Sequence, residues 1–165
     1  MVEAALHEVQ VGRSSADIRA TARLAVLGDV IPPRDLTRPT RAESYDAHGG
    51  TALVDESKVR GTSVGSTGAG DWIAFQHVDL RHGVDAFTAQ MAREATTPGQ
   101  IQLRLDDPVT GPLIGTAPVA STGSRYAYAT ATAPVSGASG IRDVYLVFDG
   151  AGTRVSTFQL APHRR

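Results

Sequence analysis

Paired carboxylates are the residues of this sequence that could most directly do chemistry, because acid–base hydrolysis needs two of them facing one scissile bond. The candidate pairs are Asp55 with Glu56, Asp79 with Asp85, and Asp106 with Asp107. Neighbours in sequence point to opposite faces of a strand, and these carboxylates fall where turns are expected. We therefore expect turn-forming side chains rather than a catalytic pair.

Other catalytic groups show no pattern typical of an active site. No serine lies in a GxSxG elbow, cysteine is absent, and the histidines lack ligand spacing on a helix. The five histidines are His7, His48, His77, His82 and His163. The chain is therefore expected to be neither an enzyme nor a disulfide-bonded scaffold.

Binding chemistry centres on Trp72, the single tryptophan, which follows the glycine-rich stretch VGSTGAGD. Three glycines and small hydroxyl residues predict a tight loop over residues 65–70, followed by a strand over residues 71–75. Alternation assigns Ile73 and Phe75 to the core and turns Trp72 to the opposite face, where it is a candidate for binding.

Two later strands carry polar or aromatic residues in the same outward phase, Gln102 and Arg104 on one and Tyr145 on the other. If these strands share a sheet with the strand of Trp72, the four side chains lie together on one exposed face.

Short β-type runs separated by Gly, Pro, Asp and Thr fill the chain from residue 40 onward. The predicted strands are Ala42–Tyr45, Ala52–Asp55, Gly70–Val78, Val84–Ala92, Gln100–Leu105, Leu113–Val119, Ala127–Val135, Val144–Phe148 and Val155–Leu160. Many short strands with polar turns predict an all-β domain over residues 40–162, a β-sandwich or jelly roll of short antiparallel strands.

Residues 1–27 form a separate segment. Leu6–Val11 and Ile18–Val26 alternate with a period of two, which favours a β-hairpin although alanine and arginine favour helix. Because a lone hairpin is marginally stable in water, this segment is expected to be the remnant of a neighbouring domain. The prolines of residues 28–39 predict an extended linker.

The composition argues against some partners. A net charge of −1 over 165 residues gives no electrostatic reason to expect nucleic acid or an anionic membrane, and no apolar run approaches membrane-spanning length. The first residues are acidic where a signal peptide would be basic, so the chain is expected to be either cytoplasmic or a piece cut from a longer protein.

The domain resembles carbohydrate-binding module family 6. The matching segments are AESYDA (42–47), GAGDWIAF (68–75), IQLRLDDP (101–108), LIGT (113–116), DVYLVFDG (143–150) and VSTFQL (155–160). The earlier segment VGRSSADIRATARLAV (11–26) is similar to the last hairpin of the fibronectin-type domain that ends many family 3 glycoside hydrolases. Together the two likenesses imply the C-terminal end of a secreted family 3 enzyme, of β-glucosidase or β-xylosidase type, with an appended module that binds cell-wall polysaccharide of plants or microbes.

The resemblance implies two places for a sugar. On the sheet face the family uses the tryptophan of GDW and a polar residue of the neighbouring strand, which match Trp72 and Gln102. In the loop cleft the two aromatic positions match Ser66 and Arg125–Tyr126, and an asparagine position matches Arg154. The loop cleft is therefore expected to be weakened, because stacking on a sugar needs a flat ring.

The resemblance also implies a structural calcium ion in many members. Glu43 matches one carboxylate position, but Arg41 and Ser156 stand at two others, so Asp55 or Glu56 would have to compensate.

Two functions follow from these observations. The chain is expected to be a non-catalytic module that binds polysaccharide or oligosaccharide beside the catalytic domain of the same protein. The alternative is a degenerate structural module that packs against that catalytic domain or mediates dimerisation, which the altered loop cleft favours.

Overall fold

A computed structural model describes residues 5–28, 31–59 and 61–163 of the chain. Its contacts divide the chain into two units, Met1–Pro32 and Pro33–Arg165. Residues 1–4 of the predicted hairpin segment and residues 29 and 30 of the predicted linker lie outside the described residues. Among the residues that are described, no helix has the length and apolar character that a membrane crossing requires.

The first unit contains an antiparallel hairpin of β1 (Ala5–Ser14) and β2 (Asp17–Val26), so the period of two prevails over the helix propensity of its alanines and arginines. Val9 lies opposite Ala22 and His7 opposite Leu24, which places most apolar residues of both strands on one face, whereas Leu6 lies on the other. This face is largely open, with Leu24 54% exposed. The hairpin therefore has an apolar face that its own two strands do not cover.

The second unit is a sandwich of two antiparallel sheets, which confirms the predicted β-sandwich. Its strands are β3 (Thr40–Arg41), β4 (Ala47–Gly49), β5 (Ala52–Asp55), β6 (Thr62–Gly65), β7 (Trp72–Asp79), β8 (Val84–Arg93), β9 (Gly99–Leu105), β10 (Leu113–Val119), β11 (Ala129–Pro134), β12 (Ile141–Phe148) and β13 (Thr153–Pro162). The first sheet has the order β10-β9-β12-β7-β4 and the second has the order β11-β8-β13-β6-β5, with β3 beside β13.

The core lies between the sheets and is built by the inward phase of each strand. Phe158 of the second sheet stacks edge-on against Phe75 of the first at 4.8 Å between ring centroids, and lies 5.8 Å from Phe87. On β9, Ile101 and Leu103 are fully buried while Gln102 between them faces outward. The sheets thus bury one face each and leave the other for solvent or ligand.

Residues 42–45 correct one strand prediction, since Ala42–Ser44 forms a single 3₁₀ turn instead of a strand. The chain crosses here from β3, which pairs with β13 in one sheet, to β4, which pairs with β7 in the other. A continuous strand cannot make that crossing, and the turn buries Ala42 completely. Strands β3, β4 and β6 were not predicted.

Residues 33–39 correct the predicted linker of residues 28–39, because they belong to the second unit. The Arg34 N–H donates to the His77 carbonyl at 2.8 Å, and the Leu160 N–H donates to the Leu36 carbonyl at 2.8 Å. The Asp79 N–H also donates to the Arg34 carbonyl at 3.0 Å, and Leu36 is 1% exposed, so one apolar side chain and three backbone bonds attach this proline-containing stretch to the sandwich.

The sandwich has two ends of different character. We call the end with the turns at residues 66–71, 94–98, 120–128 and 149–152 the loop end, and the opposite end the base. At the base, Arg34 forms a parallel β-bridge with Val78, and the His163 N–H donates to the Gly83 carbonyl at 3.0 Å. The first and the last described residues of the sandwich, which we call its two limits, therefore both lie at the base.

Candidate functional site

The outer face of the first sheet carries the residues that alternation assigned to it. Trp72 on β7 and Gln102 on β9 both lie opposite Val147 of β12, and Arg104 lies opposite Tyr145. Directly paired residues of neighbouring strands point to the same side of a sheet. The register therefore brings all four predicted residues, together with Val147, onto one surface, which we call the sheet-face site.

Trp72 is held in place from two directions. Its indole meets the Tyr145 ring edge-on, with ring centroids 5.3 Å apart and planes at 62°. On the other side it packs over Gly49, where a Cβ atom would lie 2.6 Å from Trp72 Nε1. Only glycine leaves room for the indole there. Trp72 is half-buried, and the two contacts fix its orientation while part of the ring system remains open.

The Arg104 guanidinium is engaged largely within the protein. Its Nε donates to Gln102 Oε1 at 3.0 Å, and its Nη1 donates to the carbonyls of Val109 at 3.1 Å and Gly111 at 2.9 Å. Three of its five N–H groups are therefore occupied, two by the turn at residues 106–111 and one by Gln102. Among the described residues the Gln102 amide nitrogen has no hydrogen-bond partner, so Gln102 is the polar donor that the site presents.

Tyr145 contributes a neutral hydroxyl. Burial raises the pKa of its phenol above the usual value of 10.0, and the carboxylates of Asp143, Asp107 and Asp106 raise it further. The hydroxyl therefore stays protonated at neutral pH and can donate a hydrogen bond beside Trp72.

Ser66, at the first aromatic position of the loop cleft, connects loops and offers no ring. It is 7% exposed, and its hydroxyl donates to the Gly150 carbonyl at 2.7 Å and accepts from the Thr153 N–H at 3.1 Å. A stacking platform is therefore missing from this side of the cleft.

The loop end nevertheless has a pocket of about 360 Å³, which we call the loop-end pocket; it is lined by Glu94, Ala95, Arg125, Gly152 and Arg154. The structure thus brings the predicted Arg125 and Arg154 together. Tyr126 lies beside them, and the Arg154 guanidinium carbon is 5.4 Å from the centroid of its ring. Arg154 therefore covers the aromatic plane that a neutral sugar would use. Glu94 belongs to this pocket and was not predicted, because an isolated glutamate after a strand carries no sequence signal.

Two of the carboxylates proposed for calcium, Glu43 and Glu56, are paired with the guanidinium of Arg41. Arg41 Nη2 lies 3.0 Å from Glu56 Oε2 and 3.3 Å from Glu43 Oε2, and it also donates to the Thr62 carbonyl. Hydrogen bonding to Glu56, ahead of that to Glu43, raises the pKa of the Arg41 guanidinium. The Asp55 carbonyl accepts a hydrogen bond from another arginine.

These carboxylates do not fit a calcium ion in this arrangement, because a divalent cation beside Glu43 and Glu56 would meet the charge of Arg41. In the part of the chain that the structure describes, no group of three or more His, Cys, Asp or Glu side chains is placed to hold a metal ion.

The adjacent carboxylates Asp106 and Asp107 serve the turn at the base. Arg142 bonds Asp106 and holds the pKa of that carboxyl below its ordinary value. Asp107 accepts the backbone N–H groups of Thr110 at 2.6 Å and Val109 at 2.8 Å, which lowers its pKa as well. Both carboxylates are thus occupied as turn residues.

Taken together, a two-sheet sandwich with an aromatic and amide surface on one sheet and a polar pocket among its loops defines a sugar-binding module. The family model for carbohydrate binding module family 6 matches residues 41–162, and the chain belongs to that family. Members of the family are non-catalytic binding domains.

Solved and curated relatives agree with this assignment. A family 6 module from Clostridium cellulolyticum, solved in complex with xylose, is 36% identical, with a TM-score of 0.71 over 78% of this chain and 99% of that one. Endo-1,4-beta-xylanase A of Thermoclostridium stercorarium is 35% identical over 71% of this chain and 22% of its own length. Arabinoxylan arabinofuranohydrolase of Bacillus subtilis is 37% identical over 68% of this chain and 22% of its own length. The chain thus spans about a fifth of each of these two enzymes.

Proposed function

We propose that this chain binds a xylan-type polysaccharide through the sheet-face site. The observation that carries the proposal is the fixed pair of Trp72 and Tyr145, 5.3 Å apart, beside the Gln102 amide on one open sheet face. A sugar ring offers an apolar C–H face and a rim of hydroxyls, so an indole platform with neighbouring donors suits it. The xylose complex and the two xylan-active relatives support xylan as the polymer.

The role in a whole protein follows from tethering. A module that holds a polymer raises the local concentration of an attached catalytic domain at its substrate. The glycoside hydrolase relatives support such a parent and an extracellular location. The VGRSSADIR hairpin further supports a family 3 glycoside hydrolase, of β-glucosidase or β-xylosidase type, as that parent.

A second candidate is a structural module that packs against its own catalytic domain or forms a dimer. Ser66 in place of a ring, and Tyr126 covered by Arg154, favour it because both remove stacking surface from the loop cleft. It predicts that the sheet-face site binds no polymer.

Affinity gel electrophoresis separates the two candidates. The chain is run through native gels containing xylan, β-1,3-glucan, mixed-linkage glucan or arabinan, with and without calcium. We expect xylan to retard the chain. Trp72→Ala should lower the affinity for xylan by about fivefold to tenfold, whereas Trp72→Phe, which retains a ring, should keep most of it.

Tyr126→Ala is the matched control at the loop end, and it should retain the wild-type shift on unsubstituted xylan. Retardation that survives Trp72→Ala in a folded protein would rule out the sheet-face site. Absence of retardation by every polymer would favour the structural module.

A further inference from the structure

We propose that the loop-end pocket binds a carboxylate-bearing sugar, a hexuronate, as a residue or branch of the polysaccharide. This inference rests on the proposed function, since the sheet-face site would hold the same polymer. It concerns a different end of the sandwich and a different chemistry, ionic in place of stacking.

Arg154 presents a fixed cation to the pocket. Its Nη1 donates to the Asp55 carbonyl at 2.8 Å, and its guanidinium lies over the Tyr126 ring at 5.4 Å. These contacts fix the plane of the guanidinium before any ligand arrives. Within the described residues no carboxylate lies at ion-pair distance from Arg154, so its charge is uncompensated.

The remaining charges on the pocket wall cancel. Arg125 bonds Glu94 through Nε at 3.0 Å and through Nη2 at 2.9 Å, which neutralises the one acidic side chain of the lining. Arg154 is then the charge that an incoming group meets. A carboxylate on that ligand would replace water at the Arg154 guanidinium, whose orientation the Asp55 carbonyl and the Tyr126 ring already fix.

A second guanidinium adds to the positive potential from beneath. Arg93 is 7% exposed, and the hydrogen bonds that it makes within the described residues all go to neutral acceptors: the carbonyls of Thr97 at 2.8 Å and Ala151 at 3.0 Å, and Thr153 Oγ1 at 2.8 Å. Ala151 directly precedes Gly152 of the pocket lining. The Asp149 carboxylate lies near this guanidinium without forming an ion pair with it in the described residues, so it offsets only part of the charge, and the remaining field extends into the neighbouring pocket.

The size and surface of the pocket point to a sugar acid in preference to a neutral sugar. Its volume of about 360 Å³ lies in the range of small-ligand sites. A neutral pyranose would need the face of Tyr126, which Arg154 covers. A hexuronate has hydroxyls for the rim and a planar carboxylate that matches the guanidinium fork.

The test compares one polymer in two forms. Binding of the chain to glucuronoxylan and to the same glucuronoxylan with its carboxyl groups reduced to alcohols is measured by isothermal titration calorimetry at low and high sodium chloride. We expect the acidic polymer to bind about tenfold more tightly, and we expect this advantage to shrink at high salt. Arg154→Gln should abolish the advantage, so that the acidic and the reduced polymer bind with equal affinity.

Two further variants make the result specific. Arg81→Gln removes the same charge from the base, on the opposite end of the sandwich, and should keep the full preference for the acidic polymer. Arg125→Gln releases Glu94 into the pocket and should weaken binding of the acidic polymer alone, by like-charge repulsion. Far-ultraviolet circular dichroism of each variant shows whether it is folded. If Arg154→Gln does not fold, Arg125→Gln tests the inference in its place.

Equal affinity for both polymers, or a preference that survives both Arg154→Gln and Arg125→Gln in folded protein, would overturn the hexuronate site and leave xylan binding intact. No binding to either polymer would instead overturn the proposed function together with this inference.

Discussion

We expect the Arg41 guanidinium to stabilise Glu43 and Glu56 as a bound metal ion would. Replacing Arg41 should therefore make the stability of the chain depend on calcium, which the stability of the wild type should not. Its guanidinium joins Glu43, Glu56 and the Thr62 carbonyl, and so connects the turn after β3 to β5 and β6. Arg41→Gln removes this cation and leaves two carboxylates facing each other across a short gap.

The size of the effect follows from the exposure of the three side chains, which is 37% for Arg41, 32% for Glu43 and 27% for Glu56. A single ion pair at such exposure is worth up to about 1 kcal/mol. Two pairs, one lost carbonyl bond and the new repulsion together give a loss of about 2 kcal/mol in the free energy of unfolding. For a chain of this size that corresponds to a fall in Tm of about 6 °C.

Calcium should then help the variant and leave the natural chain unaffected. In Arg41→Gln the two carboxylates and the carbonyl form an all-oxygen site, and calcium at about ten times its Kd would restore about 1.4 kcal/mol. Differential scanning calorimetry in calcium and in EDTA measures both effects. Arg38→Gln is the control, since Arg38 is 87% exposed and lies 3.9 Å from its one carboxylate, so its Tm should hardly change.

The reasoning would be refuted by a natural chain whose Tm rises in calcium and falls in EDTA. It would also be refuted by an Arg41→Gln variant as stable as the wild type, because the cluster would then contribute nothing to holding these strands together.

Two further predictions concern the core and the base. Phe158→Ala removes the ring that joins the two sheets and should cost about 3–5 kcal/mol, measured by urea unfolding, whereas Phe158→Leu should cost much less. Asp106 has a folded pKa below its ordinary value of 3.8, so its bond to Arg142 adds stability above pH 4 that is lost as the pH falls through the folded pKa. The Tm gap between wild type and Arg142→Gln should therefore be full at pH 6 and close towards pH 3; a gap independent of pH would contradict the linkage.

The sheet-face site was predictable from sequence because a strand period of two is a local rule. Trp72, Gln102 and Tyr145 sit on separate strands, yet each could be assigned to the outward phase from its own neighbours. The register then brings them together, since an error of one residue in any strand would have turned its buried leucine or isoleucine to solvent.

The other features depend on contacts that no local pattern reveals. Leu36 stands alone between prolines and charges, and only its burial under β13 distinguishes its stretch from a linker. β6 has a single large apolar residue, Val64, and is a strand because β5 and β13 flank it. The stacking of the Arg154 guanidinium on the Tyr126 ring likewise joins residues that lie on different elements, far apart in the chain.

The placement of both limits of the sandwich at the base determines where the sandwich connects to the rest of a polypeptide. Arg34 and His163 meet the turns of the base, while the loop-end pocket opens at the other extreme of the strands. The chain therefore enters and leaves the sandwich at the end opposite the pocket, and the sheet face runs along the side of the sandwich. The connections to the rest of a polypeptide and the loop-end pocket thus use separate surfaces of the sandwich.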